Sequence, residues 1–369
     1  MISVLISIIS IVLTIFLIVG VHEFGHFIVA RWAGIKVLRF SLGFGKTLFK
    51  WYDKKGTEFV LAAVPLGGYV KMLDETEEKV ADHELHLAFN RQPLYKKIAV
   101  VIAGPLANFV FAFLLYWLLF VIGFTTIVPV IGKVIPQSLA AEAGLKPKDE
   151  ILSINNKITR DWNAVVFRLM MYIGEEKQIN ITTQPLHSHL IQEHTLDLTH
   201  WKIDNLKPDP LQSLGIEPYL PEVHPPKFKW PDELVRKTQY GFFTALAPAK
   251  HQVIDFISLN FVFLGKMLTG KISLQGLGGP ITIFESAGTA LNNGILPFIS
   301  FLAFFSIAIG VINVLPVPGL DGGHLLIYLI EFVRRRPLSI RVQSILLRIG
   351  IVALILLMTQ AVVNDVLRL

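Results

Sequence analysis

Val19-Gly20-Val21-His22-Glu23-Phe24-Gly25-His26-Phe27-Ile28 closes an apolar run that starts at Ile2. Residues 2–21 carry no charge, and His22 and Glu23 then stand inside the same apolar sequence. On a helix, His22 and His26 fall on one face, one turn apart. The pattern H-E-x-x-H lets two imidazoles hold one zinc ion and leaves Glu23 beside it as the base for a water molecule. Three fixed positions also arise by chance, so the setting carries the weight. Ionisable groups inside an apolar span are costly and by default signal function. The bland alternative, in which the three side chains only hydrogen-bond to other helices, is the weaker reading.

The remainder of the chain places this motif in a membrane. Of 369 residues, 53% are hydrophobic and 17% charged, against about 25% charged in ordinary soluble domains. That composition excludes an intrinsically disordered chain. With no cysteine there is no disulfide framework, thiolate metal site or thiol nucleophile. Residues 98–132 and 286–320 are uncharged, as are residues 349–364. A spanning helix needs about 20 mostly apolar residues, so four spans are expected near 2–27, 99–121, 297–314 and 343–362. The first exceeds a signal-peptide core, lacks a basic segment before it and has no small-residue cleavage site after it.

Lysine and arginine set the orientation. Residues 31–97 hold 12 of them, whereas the much longer stretch 124–297 holds 16. Arg334, Arg335, Arg336, Arg341 and Arg348 form a second basic group. Positive loops stay cytoplasmic. The expectation is therefore a multi-pass membrane protein with residues 31–97 and 334–342 cytoplasmic, both termini and the 124–296 region outside, and the histidine site opening near the cytoplasm. The net charge of +6 is mostly an orientation signal, and no nucleic-acid partner is expected.

Within residues 31–97, alternating segments flank the turn Asp53-Lys54-Lys55-Gly56 and lead to Pro65-Leu66-Gly67-Gly68-Tyr69-Val70-Lys71-Met72. They predict a small β-sheet at the membrane surface. Residues 124–222 contain Ser138-Leu139-Ala140-Ala141-Glu142-Ala143-Gly144-Leu145, then Asp149-Glu150-Ile151-Leu152-Ser153-Ile154-Asn155. This stretch resembles a PDZ domain of the bacterial, circularly permuted type, with Lys148 where glycine is usual. PDZ domains bind extended peptides by strand addition; a packed spacer without a ligand is the alternative. After Pro225-Pro226, residues 232–268 read as two amphipathic helices lying along the membrane. The predicted fold is a polytopic α-helical membrane protein with a cytoplasmic β-sheet and an external PDZ-like α/β domain. Its successive parts are 1–30, 31–97, 98–123, 124–222, 223–290, 291–335 and 336–369.

Zinc catalysis wants a third protein ligand and an open position. Asn313-Val314-Leu315-Pro316-Val317-Pro318-Gly319-Leu320-Asp321-Gly322-Gly323-His324 breaks the third span with prolines and glycine. Irregular backbone at membrane depth is tolerated only where it is buried in protein or lines a cavity. Asp321 is the first charge after the apolar run. By itself it reads as a helix N-cap; beside an orphan pair of histidines it reads as the ligand, with His324 as its competitor.

Together, H-E-F-G-H, G-F-G, P-L-G-G-Y-V-K-M and N-x-x-P-x-P-x-L-D-G-G-H resemble the site-2 protease family. The PDZ segment and the closing Asn364-Asp365 resemble its bacterial branch that regulates the sigma-E stress response. The resemblance covers essentially the whole chain. It implies an intramembrane zinc endopeptidase, with His22, His26 and Asp321 on the metal, Glu23 as catalytic base and Asn313 positioning substrate. It also implies that the strand Gly67, Gly68, Tyr69, Val70, Lys71 and Met72 pairs with an unwound single-span substrate of the anti-sigma-factor type, or with a remnant signal peptide. That branch usually carries two PDZ domains, and here Leu214-Gly215-Ile216-Glu217-Pro218 runs almost directly into Pro225-Pro226, so the second is absent. A metal transporter and a non-catalytic PDZ scaffold are the rival readings.

Overall fold

The computed structural model describes residues 2–204, 209–219, 231–336 and 338–368. The Pro225-Pro226 linker and Leu369 lie outside the described residues. Along the chain run α1 (Ile2–Trp32), β1 (Val37–Tyr52), β2 (Glu58–Met72), α2 (Leu94–Ile122), β3 (Phe124–Ile127), β4 (Ile131–Val134) and α3 (Leu139–Glu142). Then come β5 (Asp149–Ile154), β6 (Lys157–Ile158), α4 (Trp162–Met170), β7 (Gln178–Pro185), β8 (Gln192–Asp197), α5 (Pro210–Leu214), β9 (Ile216–Pro218) and β10 (Val235–Thr238). The chain closes with α6 (Leu246–Leu268), α7 (Pro280–Asn292), α8 (Ile295–Val314), α9 (Asp321–Arg334) and α10 (Ile340–Arg368).

Two compact units emerge. The larger comprises Met1–Leu119, Ala247–Ile257 and Gly279–Val362. The smaller comprises Phe120–Leu246, Ser258–Gly278 and Val363–Leu369. Among the described residues, four helices are long and apolar enough to cross a membrane: Val4–Trp32, Leu94–Ile122, Ile295–Val314 and Arg341–Arg368. They fall where four spans were expected, with longer ends. Small residues let the helices of the larger unit approach closely. A side chain at Gly25 of α1 would strike the Ala103 carbonyl of α2, and one at Gly288 of α7 would strike Ser7 of α1. Ile18, Phe298 and Leu302 are buried together between α1 and α8.

β1 and β2 are long strands folded on themselves. Gly43 and Gly45 take left-handed backbone, with φ of 90° and 83°, which only glycine adopts without strain. As a result Phe40, Ser41 and Leu42 have two sets of partners: Phe59, Val60 and Leu61 on one side, and Val70, Tyr69 and Gly68 on the other. The segment 47–52 pairs beyond 58–62. Residues 68–72 therefore form an outer edge, and that edge meets no further strand among the described residues.

The smaller unit is built around a sheet in the order β6-β5-β7-β8 and a separate β4-β9 pair. Ile131, Ile151, Ile154, Leu169, Ile179, Ile181, Leu196, Leu214 and Ile216 form its core. Ser138 caps α3 by accepting from the Ala141 N–H, and Asp161 caps α4 by accepting from the Ala164 N–H. The two amphipathic helices expected over 232–268 are a correction. Val235–Thr238 is a strand paired with β3, and only α6 is a long helix there. The four residues Val-Arg-Lys-Thr suit an extended edge, but their partner Phe124–Ile127 lies more than 100 residues away, out of reach of local periodicity. Leu169→Ala should destabilise the smaller unit by about 2–5 kcal/mol, read as faster amide hydrogen exchange in β5 and β7 of the full chain; unchanged exchange would remove Leu169 from the core.

Candidate metal centre

His22 and His26 project from α1 on one face, and each is 8% exposed. Their Nε2 atoms stand 3.2 Å apart. Asp321 comes from the start of α9. Its Oδ2 lies 3.0 Å from His22 Nε2 and 3.3 Å from His26 Nε2. That oxygen is buried and meets no hydrogen-bond donor other than these ring nitrogens. A tetrahedral ion with bonds of about 2.0–2.1 Å separates its ligands by about 3.3–3.4 Å. Three donors at 3.0, 3.2 and 3.3 Å therefore fit one such ion, and two imidazoles with one carboxylate suit zinc. Among the described residues these three form the one group of this kind.

The local sequence explains why Asp321 arrives there. Gly319 has φ of 101°, which turns the chain out of the proline-interrupted segment. Side chains at Gly322 and Gly323 would run into the carbonyls of Leu315 and Val317. The two glycines thus let α9 begin directly beneath the loop. Leu320, not Asp321, occupies the N-cap position, and it makes no side-chain cap. The aspartate carboxylate is left for the histidines.

α2 seals the other side. Gly104 faces the two rings so closely that a Cβ there would overlap His26 Nε2. His26 Nδ1 lies 2.8 Å from the Val100 carbonyl oxygen, so that nitrogen carries the proton and Nε2 keeps its lone pair for the shared position. His22 Nδ1 lies 3.4 Å from the side-chain amide of Asn108, which is fully buried.

A cavity of about 730 Å³ opens onto these donors. Glu23, Tyr69, Val70, Lys71, Asn313 and Tyr328 are among the residues that line it. Glu23 is half-buried, and its Cγ lies 2.9 Å from where a Cβ on Gly68 would be. The carboxylate therefore sits against the open strand edge. Of the strand Gly67 to Met72, residues 68–72 line the cavity. Gly67 does not; it packs beneath the Phe44 ring. Asn313 donates to the Ile309 carbonyl of its own helix at 3.1 Å. His324 lines the cavity but is not in the donor group. The sequence reading overlooked Gly104, the Val100 carbonyl and Asn108. The available signal was a Gly-Pro pair followed by one asparagine in an otherwise apolar span.

A buried His-His-Asp donor set with an adjacent glutamate, its histidines and glutamate on a helix long and apolar enough to cross a membrane, is the equipment of an intramembrane metalloprotease. Similarity to known proteins agrees. The profile of peptidase family M50 matches residues 10–357. The chain belongs to peptidase family M50. It is 36% identical over 451 aligned positions to the regulator of sigma E protease of Salmonella typhimurium and to the regulator of sigma-E protease RseP of Escherichia coli, with all of each chain covered. It is 34% identical over 452 positions to a putative zinc metalloprotease of Vibrio cholerae, again with full coverage. An alignment of 451 positions on a chain of 369 residues leaves 82 positions at which those two relatives have residues and this chain has none.

The space at Gly104 generates a prediction. Gly104→Ala should lower zinc affinity by at least about tenfold, the size of effect seen when the shell around metal ligands is disturbed. Zinc content of the purified full chain under chelator competition measures it, and wild-type retention would show that α2 can withdraw without disturbing the rings.

Proposed function

We propose that the chain hydrolyses peptide bonds within the transmembrane segments of single-span membrane proteins, using zinc held by His22, His26 and Asp321. The observation that carries this reading is the meeting of three donor atoms within 3.3 Å of one another, beside the Glu23 carboxylate and an unpaired strand edge. When bound, zinc supplies a Lewis acid for the scissile carbonyl and lowers the pKa of the attacking water. Glu23 takes the water's proton at a carboxylate oxygen and returns it to the leaving amine nitrogen. The buried rings of His22 and His26 are held by α2, so the donors do not have to reorganise when substrate arrives.

A transmembrane substrate hides its carbonyls in its own helix, and unwinding frees backbone groups that need partners. The outer edge of residues 68–72 offers N–H and C=O groups for strand addition, and it runs alongside Glu23. Asn313 contributes a side-chain amide on the cavity wall to hold the substrate backbone.

The names of the relatives connect those proteins to sigma-E regulation. By that similarity the substrates here are membrane-tethered anti-sigma factors, with remnant signal peptides as a second class. The basic residues of 31–97 support a site that opens toward the cytoplasm of a bacterial inner membrane, and the lower density of basic residues over 124–297 supports a periplasmic PDZ-like stretch Ser138 to Asn155. There the PDZ-like fold takes an extended peptide. The 82 positions missing relative to two of the relatives are about the length of one such domain, which supports reading them as the second PDZ domain.

Purified full chain mixed with a single-span membrane substrate tests the mechanism. Glu23→Gln should reduce cleavage by about 10²–10⁴-fold while zinc content stays at the wild-type level. Asp321→Asn should lose both zinc and cleavage. Persistent cleavage by Glu23→Gln would sink the mechanism, and full zinc occupancy in Asp321→Asn would remove Asp321 from the site. For the strand edge, Gly68→Val places a side chain against the Ser41 carbonyl, 2.8 Å from the Cβ position, and against Glu23. Cleavage should fall with zinc retained; undiminished cleavage would discard the edge as the docking strand.

A further inference from the structure

The two ligand imidazoles differ in how their second nitrogens are held. His26 Nδ1 faces a backbone carbonyl, that of Val100, at 2.8 Å. A carbonyl can only accept, so the proton of that ring is fixed on Nδ1. His22 Nδ1 faces a side chain instead, the carboxamide of Asn108 two turns further along α2, with Nδ2 the end that lies 3.4 Å away. Asn108 is 0% exposed, and its Oδ1 has no hydrogen-bond partner. The two ends of a carboxamide have the same shape and exchange by a half-turn of the side chain.

Only one of the two orientations is compatible with a metal ion. With Nδ2 toward His22, the ring must offer the lone pair of Nδ1 and carry its proton on Nε2. That proton would then point into the space shared with His26 and Asp321, where a cation needs a lone pair. With Oδ1 toward His22, the amide oxygen gains a donor, the proton sits on Nδ1, and Nε2 is free to bind. We propose that Asn108 is a positioning residue whose Oδ1 accepts a hydrogen bond from Nδ1–H of His22, fixing the tautomer and the plane of that ring. Asn108 is itself anchored: its backbone carbonyl accepts from the buried Ser306 hydroxyl of α8 at 2.9 Å. One residue thus links α2 to the first metal ligand and to the helix that leads toward Asp321.

This inference rests on the proposed ligation by His22, His26 and Asp321, and the test keeps the two apart. Zinc affinity of the full chain in detergent is measured by competition with a chelator, together with the absorption spectrum of the cobalt(II)-substituted protein. Asn108→Leu keeps the branched shape and the number of side-chain heavy atoms and removes the acceptor; it should bind zinc about 10–100-fold more weakly and shift the cobalt spectrum. Asn108→Asp keeps an acceptor and should return both readouts to near the wild-type values. Asn108→Leu that binds zinc as tightly as wild type would overturn the inference. So would Asn108→Asp that binds as weakly as Asn108→Leu, and this second variant decides the matter if Asn108→Leu fails to fold. Zinc affinity that stays at the wild-type level in His22→Ala would instead overturn the ligation on which the inference stands.

Discussion

Two imidazoles and a carboxylate inside an apolar helix are tolerable only when their polar atoms find partners, because nothing in hydrocarbon replaces water. That requirement organises the larger unit. Glycine at Gly25 and Gly104 brings the α2 backbone against α1 until the Val100 carbonyl reaches His26. Gly322 and Gly323 bring α9 up beneath the Leu315-to-Leu320 loop until Asp321 reaches both rings. Small residues here act as spacers of zero length: they set how near one polar backbone can come to another helix's side chains. The apolar packing of Ile18, Phe298 and Leu302 then holds those distances.

The β-segment obeys the same economy. β1 is satisfied on both sides over Phe40 to Leu42, so the sheet ends in two edges, 47–52 and 68–72, and the second of them lines the cavity, as Glu23 does. An exposed edge is ordinarily a hazard, because it offers hydrogen bonds to any passing strand. Here it lines the cavity beside the histidines, which under the proposed function would be where an unwound peptide meets it. The arrangement brings Glu23, the three donors and the strand edge into one space without requiring any of them to leave its own element.

Some of this was legible in the chain and some was not, for definite physical reasons. The spans were legible because long uncharged runs admit one interpretation. His22, Glu23 and His26 stood out because i,i+4 spacing is a property of the helix itself. Asp321 stood out as the first charge after 35 uncharged residues. Asn108 and Gly104 did not, since a neutral asparagine in a span bears no obvious cost and a glycine's role depends on what approaches it. Gly67 and Gly68 look equivalent in sequence, yet only Gly68 borders the cavity; which one does is settled by Phe44, a residue on the other strand. The strand Val235–Thr238 was misread because its partner is remote in the chain, and amphipathic helix was the nearest local pattern.

The position of Asp321 has a topological meaning beyond its chemistry. An ion shared by His22 and Asp321 joins two points about 300 residues apart, so the polypeptide between them becomes a closed ring. β1, β2, α2, α7, α8 and nearly all of the smaller unit lie inside it. Closing a long loop removes conformational freedom from the unfolded chain, and the cost grows only with the logarithm of loop length. A single ion held there would restrain most of the molecule at once, and the protein's tolerance of heat or detergent would then be coupled to the free metal around it.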